Sequence, residues 1–430
     1  MTKSPMIVVG TTPDYVLRIH EKSCSQPVFF LLDSRYRNDP DLTTMDNSLL
    51  IFSNLADFNE SLCSLESFLS IRNFNRPWFA CFDCESLYVT SMLADYYKSP
   101  FPSTRSILMT RNKFLAGKIW GEAGLDNPRS GLASDLSQTI RLFEKFNRDV
   151  VLKPLSGSGS ELLFHCCSES EVIDSVKIMS SQLVRRKDNP LYADITDPSS
   201  SRTINPREEW IVEEYVDGSE FSCDFILHNK NIKIIRETGK IKAPDSPFGT
   251  VMCYTVPPVY PLNFSKESLE KTLMSAVRNL GYDWGYFMAD FIIRDARAII
   301  IELTPRPGGD SLPDLIMAAS GEDTLKIYLE LITGQYMDLN TVTLPSKPCA
   351  SINFFAPREG IIEQIDYTAI LSQPDFITFI PKKKKGDRLS LPPDDYDNRL
   401  IGYCVVSHEN DWDPMETCHY YQGLLKVSIH

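Results

Sequence analysis

Residues 284–310 read WGYFMADFIIRDARAIIIELTPRPGGD. Two apolar runs, Tyr286–Ile293 and Ala298–Thr304, flank the polar tetrad RDAR. Apolar runs around a short polar turn predict a β-hairpin, here centred near residue 296. Asp290 lies six residues before that centre and Glu302 six after it. In an antiparallel ladder the two carboxylates then face each other, with opposite side chains about 5 Å apart. Thr304, two residues past Glu302, points to the same face. Carboxylates in apolar strands are costly unless something neutralises them. Two acids and a hydroxyl are an all-oxygen set that suits Mg²⁺, which takes one or two carboxylates together with substrate phosphates. The competing reading is a structural ion pair of Asp290 with Arg294 or Arg297.

The residues around the hairpin add positive charge and close backbone approach. Arg306 sits between Pro305 and Pro307, so its backbone is stiff. Its guanidinium can meet a phosphate bidentately. Gly308 and Gly309 let another group come close to the backbone. Asp310 follows and can serve as the N-cap of a helix over SLPDLIMAASG. Upstream, Lys153 precedes the loop Ser156, Gly157, Ser158, Gly159, Ser160. Its amides and hydroxyls are potential phosphate donors, although glycine–serine loops are most often plain turns. Lys240 and Lys242 can reach a phosphate or a carboxylate, or can end a solvated strand.

Working outward, residues 6–33 read strand, helix, strand, and WFACFD at 78–83 is a further buried-strand run ahead of a helical segment. Alternating strands and helices predict a doubly wound α/β unit over about the first hundred residues. A helix is expected through RNKFLAGKIWGEAG, ending near Gly124. Two strands then flank the Ser/Gly loop, and 185–209 reads as a polar, mobile loop containing Pro190, Pro198, Ser199 and Pro206. EEWIVEEYV is a strand. Ser265 caps a helix whose face is Leu269, Leu273, Val277 and Leu280 and which stops at Gly281. The last 85 or so residues alternate strands and turns.

In this order the pieces resemble the ATP-grasp superfamily of ligases. The matching segments are TRNKFLAGKIWGEAG with Lys113, VVLKPLSGSGS with Lys153, the hinge strand WIVEEYVDGSEFSCDFI, and FMAD…IIIELTPRPGGD. INFFAPREGIIEQI and RLIGYCVV resemble the C-terminal segment of L-amino-acid ligases, the group nearest in pattern. The resemblance implies an α/β ATP-grasp fold, α+β in its lid. A Rossmann-like pre-ATP-grasp domain would span 1–104. The linker helix and lid with hinge would span 105–220, the core with the Mg site 221–344, and a β-rich C-terminal segment 345–430.

It also implies roles. Lys113 and Lys153 hold ATP phosphates under the lid Ser156–Gly159. Glu213, with the backbone of Glu214, Tyr215 and Val216, reads the adenine edge, and Glu220 takes the ribose. Asp290 and Glu302 ligate two Mg²⁺ ions, for which Mn²⁺ can substitute. Arg306 and Lys153 act on the transferring phosphoryl group. Gly308, Gly309, Asp310 and Lys240 border the substrate, and Asp310 is positioned for an ammonium or polar group. Thr304 departs from the family's usual Asn, which puts one metal contact in doubt. The implied reaction makes an amide from a small carboxylate and an amine through an acyl phosphate, releasing ADP and phosphate. The alternatives are a bicarbonate-activating carboxylase or carbamoyl-phosphate type, disfavoured by the lack of a biotin-accepting MKM, and a non-catalytic ATP-binding module. A homodimer is the family-level expectation.

Composition bounds the rest. The 430 residues suggest about three domains. The net charge of −13, from 57 acidic against 44 basic side chains, argues against a nucleic-acid partner held by the global field. The six histidines show no zinc-ligand spacing. Eleven cysteines, no leader-like N-terminus and no long apolar run point to a cytoplasmic chain with reduced thiols and no membrane span. The Cys81–Cys84 CxxC reads as a strand end running into a helix, or as a redox pair. Cys166 and Cys167 fall on opposite faces of a strand. Lys382–Lys385 is a solvated turn or an anion patch.

Overall fold

In the computed structural model, residues 4–430 are described apart from 23–25, 198–199, 245, 335–341, 344, 346 and 409–411. β1 (Met6–Val9), β2 (Val28–Asp33), β3 (Leu50–Ser53) and β4 (Trp78–Ala80) make a parallel sheet in the order β3-β2-β1-β4. The helices are α1 (Pro13–His20), α2 (Phe58–Ile71) and α3 (Leu87–Tyr97). Both faces of the sheet are covered, which is why its strands are unbroken apolar runs. Ile7, Val9, Phe29 and Leu31 pack on Leu65, Phe68 and Leu93 of α2 and α3. Met6, Val8, Phe30 and Leu32 pack on Val16 and Ile19 of α1 and on Tyr328 and Leu329 from much later in the chain. Cys81 and Cys84 fall between β4 and α3.

Two helices lead into the lid, where one was expected. α4 (Thr104–Arg111) precedes α5 (Lys113–Glu122), and the Asn112 side chain between them caps α5 at Leu115 N. The region expected to be the lid contains β5 (Ser130–Ala133), α6 (Leu136–Lys145), β6 (Val150–Pro154), β7 (Phe164–Cys166) and α7 (Glu169–Leu183). Next come the paired β8 (Ile195–Thr196) and β9 (Thr203–Ile204), then β10 (Trp210–Glu214). Its sheet is antiparallel, in the order β5-β10-β6-β7. Val150, Leu152, Trp210 and Val212 pack on Phe143, Val172, Val176 and Met179 of α6 and α7. The stretch 185–209 is not the free polar loop its composition suggests. Leu191 and Tyr192 are buried in the lid core, and Ile195 and Ile204 in the central core. Single apolar residues among polar ones leave no period to read. Pro198 and Ser199 lie outside the described residues.

The central sheet takes up β11 (Ser219–His228), β12 (Asn231–Lys242), β13 (Val251–Val256), β14 (Gly285–Arg294) and β15 (Arg297–Thr304). Helix α8 (Lys266–Asn279), capped by Ser265, lays Leu269, Leu273 and Val277 on Phe221, Phe225 and Phe291. Helices α9 (Leu312–Ser320) and α10 (Thr324–Ile332) follow. The C-terminal part supplies β16 (Cys349–Phe355), β17 (Gly360–Asp366), α11 (Thr368–Leu371), β18 (Phe376–Pro381), β19 (Arg388–Leu389), β20 (Leu400–Ser407), α12 (Pro414–Leu424) and β21 (Lys426–Ile429). The helices α11 and α12 were not anticipated among its strands and turns. One antiparallel sheet runs β15-β14-β11-β12-β13-β16-β20-β18, and β19-β17-β21 form a small one. Two of the four lysines in the 382–385 run are engaged: Lys382 pairs with Asp14 of α1 at 2.6 Å and Lys384 with Asp41 at 3.2 Å. They tie the C-terminal part to the N-terminal sheet domain, so the run is not simply a solvated turn.

The hairpin turns at Asp295 and Ala296, both at positive φ (52° and 56°), the backbone of a tight hairpin turn. Arg294 pairs with Arg297, half a residue short of the expected centre, and a regular ladder would set Asp290 opposite Ile301. Instead Phe291 pairs with Ile300 and Asp290 with Glu302. Ile301 is the extra residue of a β-bulge, and it restores the carboxylate pairing.

Candidate active site

The expected charged residues converge where the lid sheet meets the edge of the central sheet. Lys113, the first residue of α5, reaches Glu302 Oε1 at 2.9 Å and donates to the Gly157 carbonyl at 3.1 Å. Lys153 on β6 pairs with Glu213 on the neighbouring β10 at 2.7 Å. Lys240 on β12 bridges Glu220 on β11 (2.8 Å) and Asp290 on β14 (2.7 Å). Lys242 holds the other Glu220 oxygen at 2.6 Å. Lys240 is therefore an interior charge and not a solvated strand end. Asp290 contacts neither Arg294 nor Arg297; Arg297 pairs with Asp126.

Burial and pairing set the protonation tendencies. Burial alone would raise the Glu302 carboxyl, but Lys113 outweighs it and the carboxyl is held below its usual value. Burial also opposes ionisation of Glu220, yet Lys240 and Lys242 bring it down to about 2. For Glu213 burial wins over Lys153, and the carboxyl is raised. Asp290 Oδ1 is buried and has no hydrogen-bond partner. An orphaned carboxylate oxygen costs free energy in an interior, and a cation would satisfy it. Together with Glu302 across the ladder, it is an oxygen set that fits Mg²⁺. Thr304 is buried opposite Met288 at the end of β15.

Arg306 turns back towards the N-terminal domain. Its Nε and Nη2 donate to Cys84 Sγ at 3.2 and 3.1 Å, and its Nη1 to the Pro307 carbonyl at 2.7 Å. Behind it, Asp224 accepts from Gly308 N at 3.1 Å and from fully buried Arg236 at 3.0 Å. A Cβ on Gly308 would lie 2.8 Å from Arg236 Nη2, so the close approach requires glycine there. Asp310 is exposed, with φ +50°, and its carbonyl accepts from Tyr403. It is not a helix cap; Ser311 is the N-cap residue of α9, and its side chain makes no capping bond.

Residues 146–314 match the family described as ATP-grasp domain. The chain has an ATP-grasp fold. An L-amino acid ligase from Bacillus licheniformis has the same fold at TM-score 0.77, with 14% identity and 100% of both chains covered. An N5-carboxyaminoimidazole ribonucleotide synthetase from Thermotoga maritima follows at 0.68, with 15% identity over 99% of this chain and 100% of that one. The biotin carboxylase domain of a Hydrogenobacter thermophilus 2-oxoglutarate carboxylase, solved with MgADP and bicarbonate, gives 0.66 at 13% identity over 100% and 92%. At these identities the likeness is one of fold. In sequence, the uncharacterized protein y4rH of Sinorhizobium fredii is 23% identical over 287 residues, 66% of this chain and 54% of that protein. The chain spans about half the length of that curated relative.

The Ser/Gly loop at 156–160 is held at several points. The Ser156 hydroxyl donates to the Arg111 carbonyl at 3.3 Å, and that of Ser160 to the Gly249 carbonyl at 2.9 Å. The Ser158 carbonyl accepts from Glu161 N at 3.2 Å, and Gly159 lies against the Asp397 carboxylate. At the hinge, Glu214 pairs with Arg129 at 2.6 Å, Tyr215 stacks on His165 at 4.0 Å, and Val216 packs on Ile292 and Ile299. Four residues in contact with the candidate site were not anticipated: Cys84, Asp224, Arg236 and Asp397. Asp224 and Arg236 each interrupt an apolar strand run, a legible signal of an internal pair. Cys84 and Asp397 arrive from segments far away in sequence, which no local pattern reveals. Among the described residues no helix is long and apolar enough to cross a membrane.

Proposed function

We propose that this protein is an ATP-dependent carboxylate–amine ligase that joins an amino acid or another small carboxylic acid to an amine. Its main support is the charge of Lys113, Lys153 and Lys240 bearing on Glu302, which pairs across the ladder with Asp290 and its orphaned oxygen. Phosphate donors and hard-cation acceptors thus share one place. In this assignment Lys113 and Lys153 hold the ATP phosphates under Ser156–Gly159, Glu213 and the Glu214–Val216 backbone hold the adenine edge, and Glu220 holds the ribose. Asp290, Glu302 and Thr304 would hold the Mg²⁺, two ions in this assignment, for which Mn²⁺ could substitute. Bound Mg²⁺ supplies positive charge against the phosphate oxygens.

The chain's own groups then have defined tasks. Lys113, Lys153 and Lys240, each paired with a carboxylate, exchange that partner for the anionic substrates. Arg306, with Lys153, offsets charge that develops as a phosphoryl group moves to the substrate carboxylate. The lid loop keeps water from the resulting acyl phosphate until an amine attacks. Gly308, Gly309, Asp310 and Lys240 border the acceptor. The assigned parts are 1–104, the lid region 105–220, the core 221–344 and the C-terminal segment 345–430, working in a cytoplasmic homodimer.

The deciding experiment measures ADP release over panels of acids and amines. Release that requires both an acid and an amine supports the ligase. Release with bicarbonate alone replaces it with a carboxylase-type enzyme. ATP binding without release under every pair leaves an ATP-binding module.

A further inference from the structure

Where β6 begins and β7 ends, three donor side chains meet. β6 and β7 pair Val150 with Cys166 and Val151 with His165. Continuing that register sets Asp149 beside Cys167. His165 and Cys167 are two residues apart and share a face, while Cys166 between them is buried in the lid core. Asp149 Oδ1 lies 2.7 Å from His165 Nε2, and Cys167 Sγ lies 3.7 Å from the former and 3.5 Å from the latter. One ligand atom from each residue falls within 4.8 Å of the other two.

Those spacings can be compared with a tetrahedral shell. Metal–sulfur bonds of about 2.3 Å and metal–nitrogen or –oxygen bonds of about 2.0 Å put sulfur about 3.5 Å from N and O, and N about 3.3 Å from O. The two sulfur distances already match. The Asp149–His165 pair must open by roughly 0.6 Å, a small rotation for an exposed carboxylate. The His165 ring is held in place by stacking on Tyr215 at 4.0 Å and by Phe248 at 5.2 Å. The surroundings favour a cation. The Glu171 carboxylate accepts from Cys167 N at 2.8 Å. Among the described residues, the ion pairs give neither Asp149 nor Glu171 a lysine or arginine partner. Asp149 and Cys167 are exposed, which leaves room for a water as fourth ligand.

We propose that Asp149, His165 and Cys167 form a binding site for a borderline-soft divalent transition metal ion, Zn²⁺ above all. The site is separate from the all-oxygen pair Asp290 and Glu302. Thiolate and imidazole donors select Zn²⁺ or Co²⁺ over Mg²⁺, which demands oxygen. As sulfur binds, the Cys167 thiol proton leaves to solvent, and no oxidant or reductant is involved. The site adjoins the hinge: the Tyr215 amide donates to the Asp149 carbonyl at 3.0 Å, and its ring stacks on His165. A bound ion therefore fixes both neighbours of Tyr215.

Co²⁺ titration of the reduced, chelator-treated full chain tests this. A near-ultraviolet thiolate-to-cobalt charge-transfer band should grow in, with visible bands of tetrahedral intensity, and Zn²⁺ should bleach them. Cys167→Ser should lose the charge-transfer band. His165→Ala and Asp149→Asn should weaken Co²⁺ binding by about tenfold or more, while Glu302→Gln should keep the band. No charge-transfer band in the wild type, or one that persists in Cys167→Ser, overturns the site.

Discussion

Asp290 stands opposite Glu302 because Ile301 bulges out of the ladder between β14 and β15. One side of the pair carries a lysine contact on Glu302, and the other leaves Asp290 Oδ1 without a partner. Glu302→Ala should therefore remove both the proposed cation ligand and the partner of Lys113. ADP release under the productive acid–amine pair should fall by at least about a hundredfold, with circular dichroism unchanged. Near-wild-type turnover would sink the metal assignment.

Lys240 neutralises Asp290 and, with Lys242, Glu220, through a side chain that is only 7% exposed. Lys240→Met leaves Asp290 without its lysine and Glu220 with Lys242 alone, and breaking a buried ion pair costs about 3–5 kcal/mol. Urea denaturation should show that loss. If the Asp290 carboxylate binds Mg²⁺, added Mg²⁺ should raise the melting temperature of the variant more than that of the wild type. An equal response in both proteins counts against a cation at this position.

Much of this arrangement was legible in the sequence. The apolar runs around RDAR put Asp290 and Glu302 on one hairpin, since a strand's period and a two-residue turn are local signals. Their pairing depended on a bulge that the sequence does not announce, so the right partner came with a centre half a residue off. Lys240 was ambiguous for a different reason. A lysine near a strand end is buried only if the adjacent strands bring acids to it, and Glu220 and Asp290 are long-range neighbours. Cys84 was weighed only as half of a CxxC, because nothing local shows that Arg306 folds back onto it from 222 residues away.

Cys84 is a positioning residue for Arg306 through two hydrogen bonds to its sulfur. Cys84→Ala removes that acceptor and frees the guanidinium. The expected result is a kcat lowered by about tenfold, at roughly one hydrogen bond to a charged group, with the KM for ATP little changed. Cys84→Ser should recover part of the loss. A rise in KM alone, with kcat intact, would show that Cys84 does not act through Arg306.

The Glu220 carboxyl is lowered to about 2 because Lys240 and Lys242 outweigh the cost of its burial. A carboxyl lowered in the folded state stabilises the fold above its ordinary value, about 4.3 for glutamate. That contribution disappears as pH falls through about 2. Glu220→Gln has no such group to titrate. The stability gap between wild type and Glu220→Gln, read from urea midpoints at about pH 6 and about pH 3, should be wider at the higher pH. A gap that widens on acidification contradicts the pairing.

The lid is also fastened from the C-terminal part of the chain. Tyr396 is buried in the lid core with Leu162, Leu183 and Tyr192, and Asp394 accepts from Gln182 at 2.9 Å and pairs with Arg185 at 3.2 Å. Burying an aromatic ring contributes more here than the exposed ion pair, which is worth about 1 kcal/mol at most. Tyr396→Ala should cost about 3–5 kcal/mol, by analogy with truncation of other buried aromatics. Arg185→Ala should cost little. Because Tyr396 bridges the lid and the C-terminal part, the loss should be local: faster hydrogen exchange across 150–214, with β11 and β14 unchanged. The KM for ATP should rise as the lid loop loses its anchor near Gly159. Uniformly faster exchange through the central sheet would mean that Tyr396 supports the whole fold and does not specifically fasten the lid.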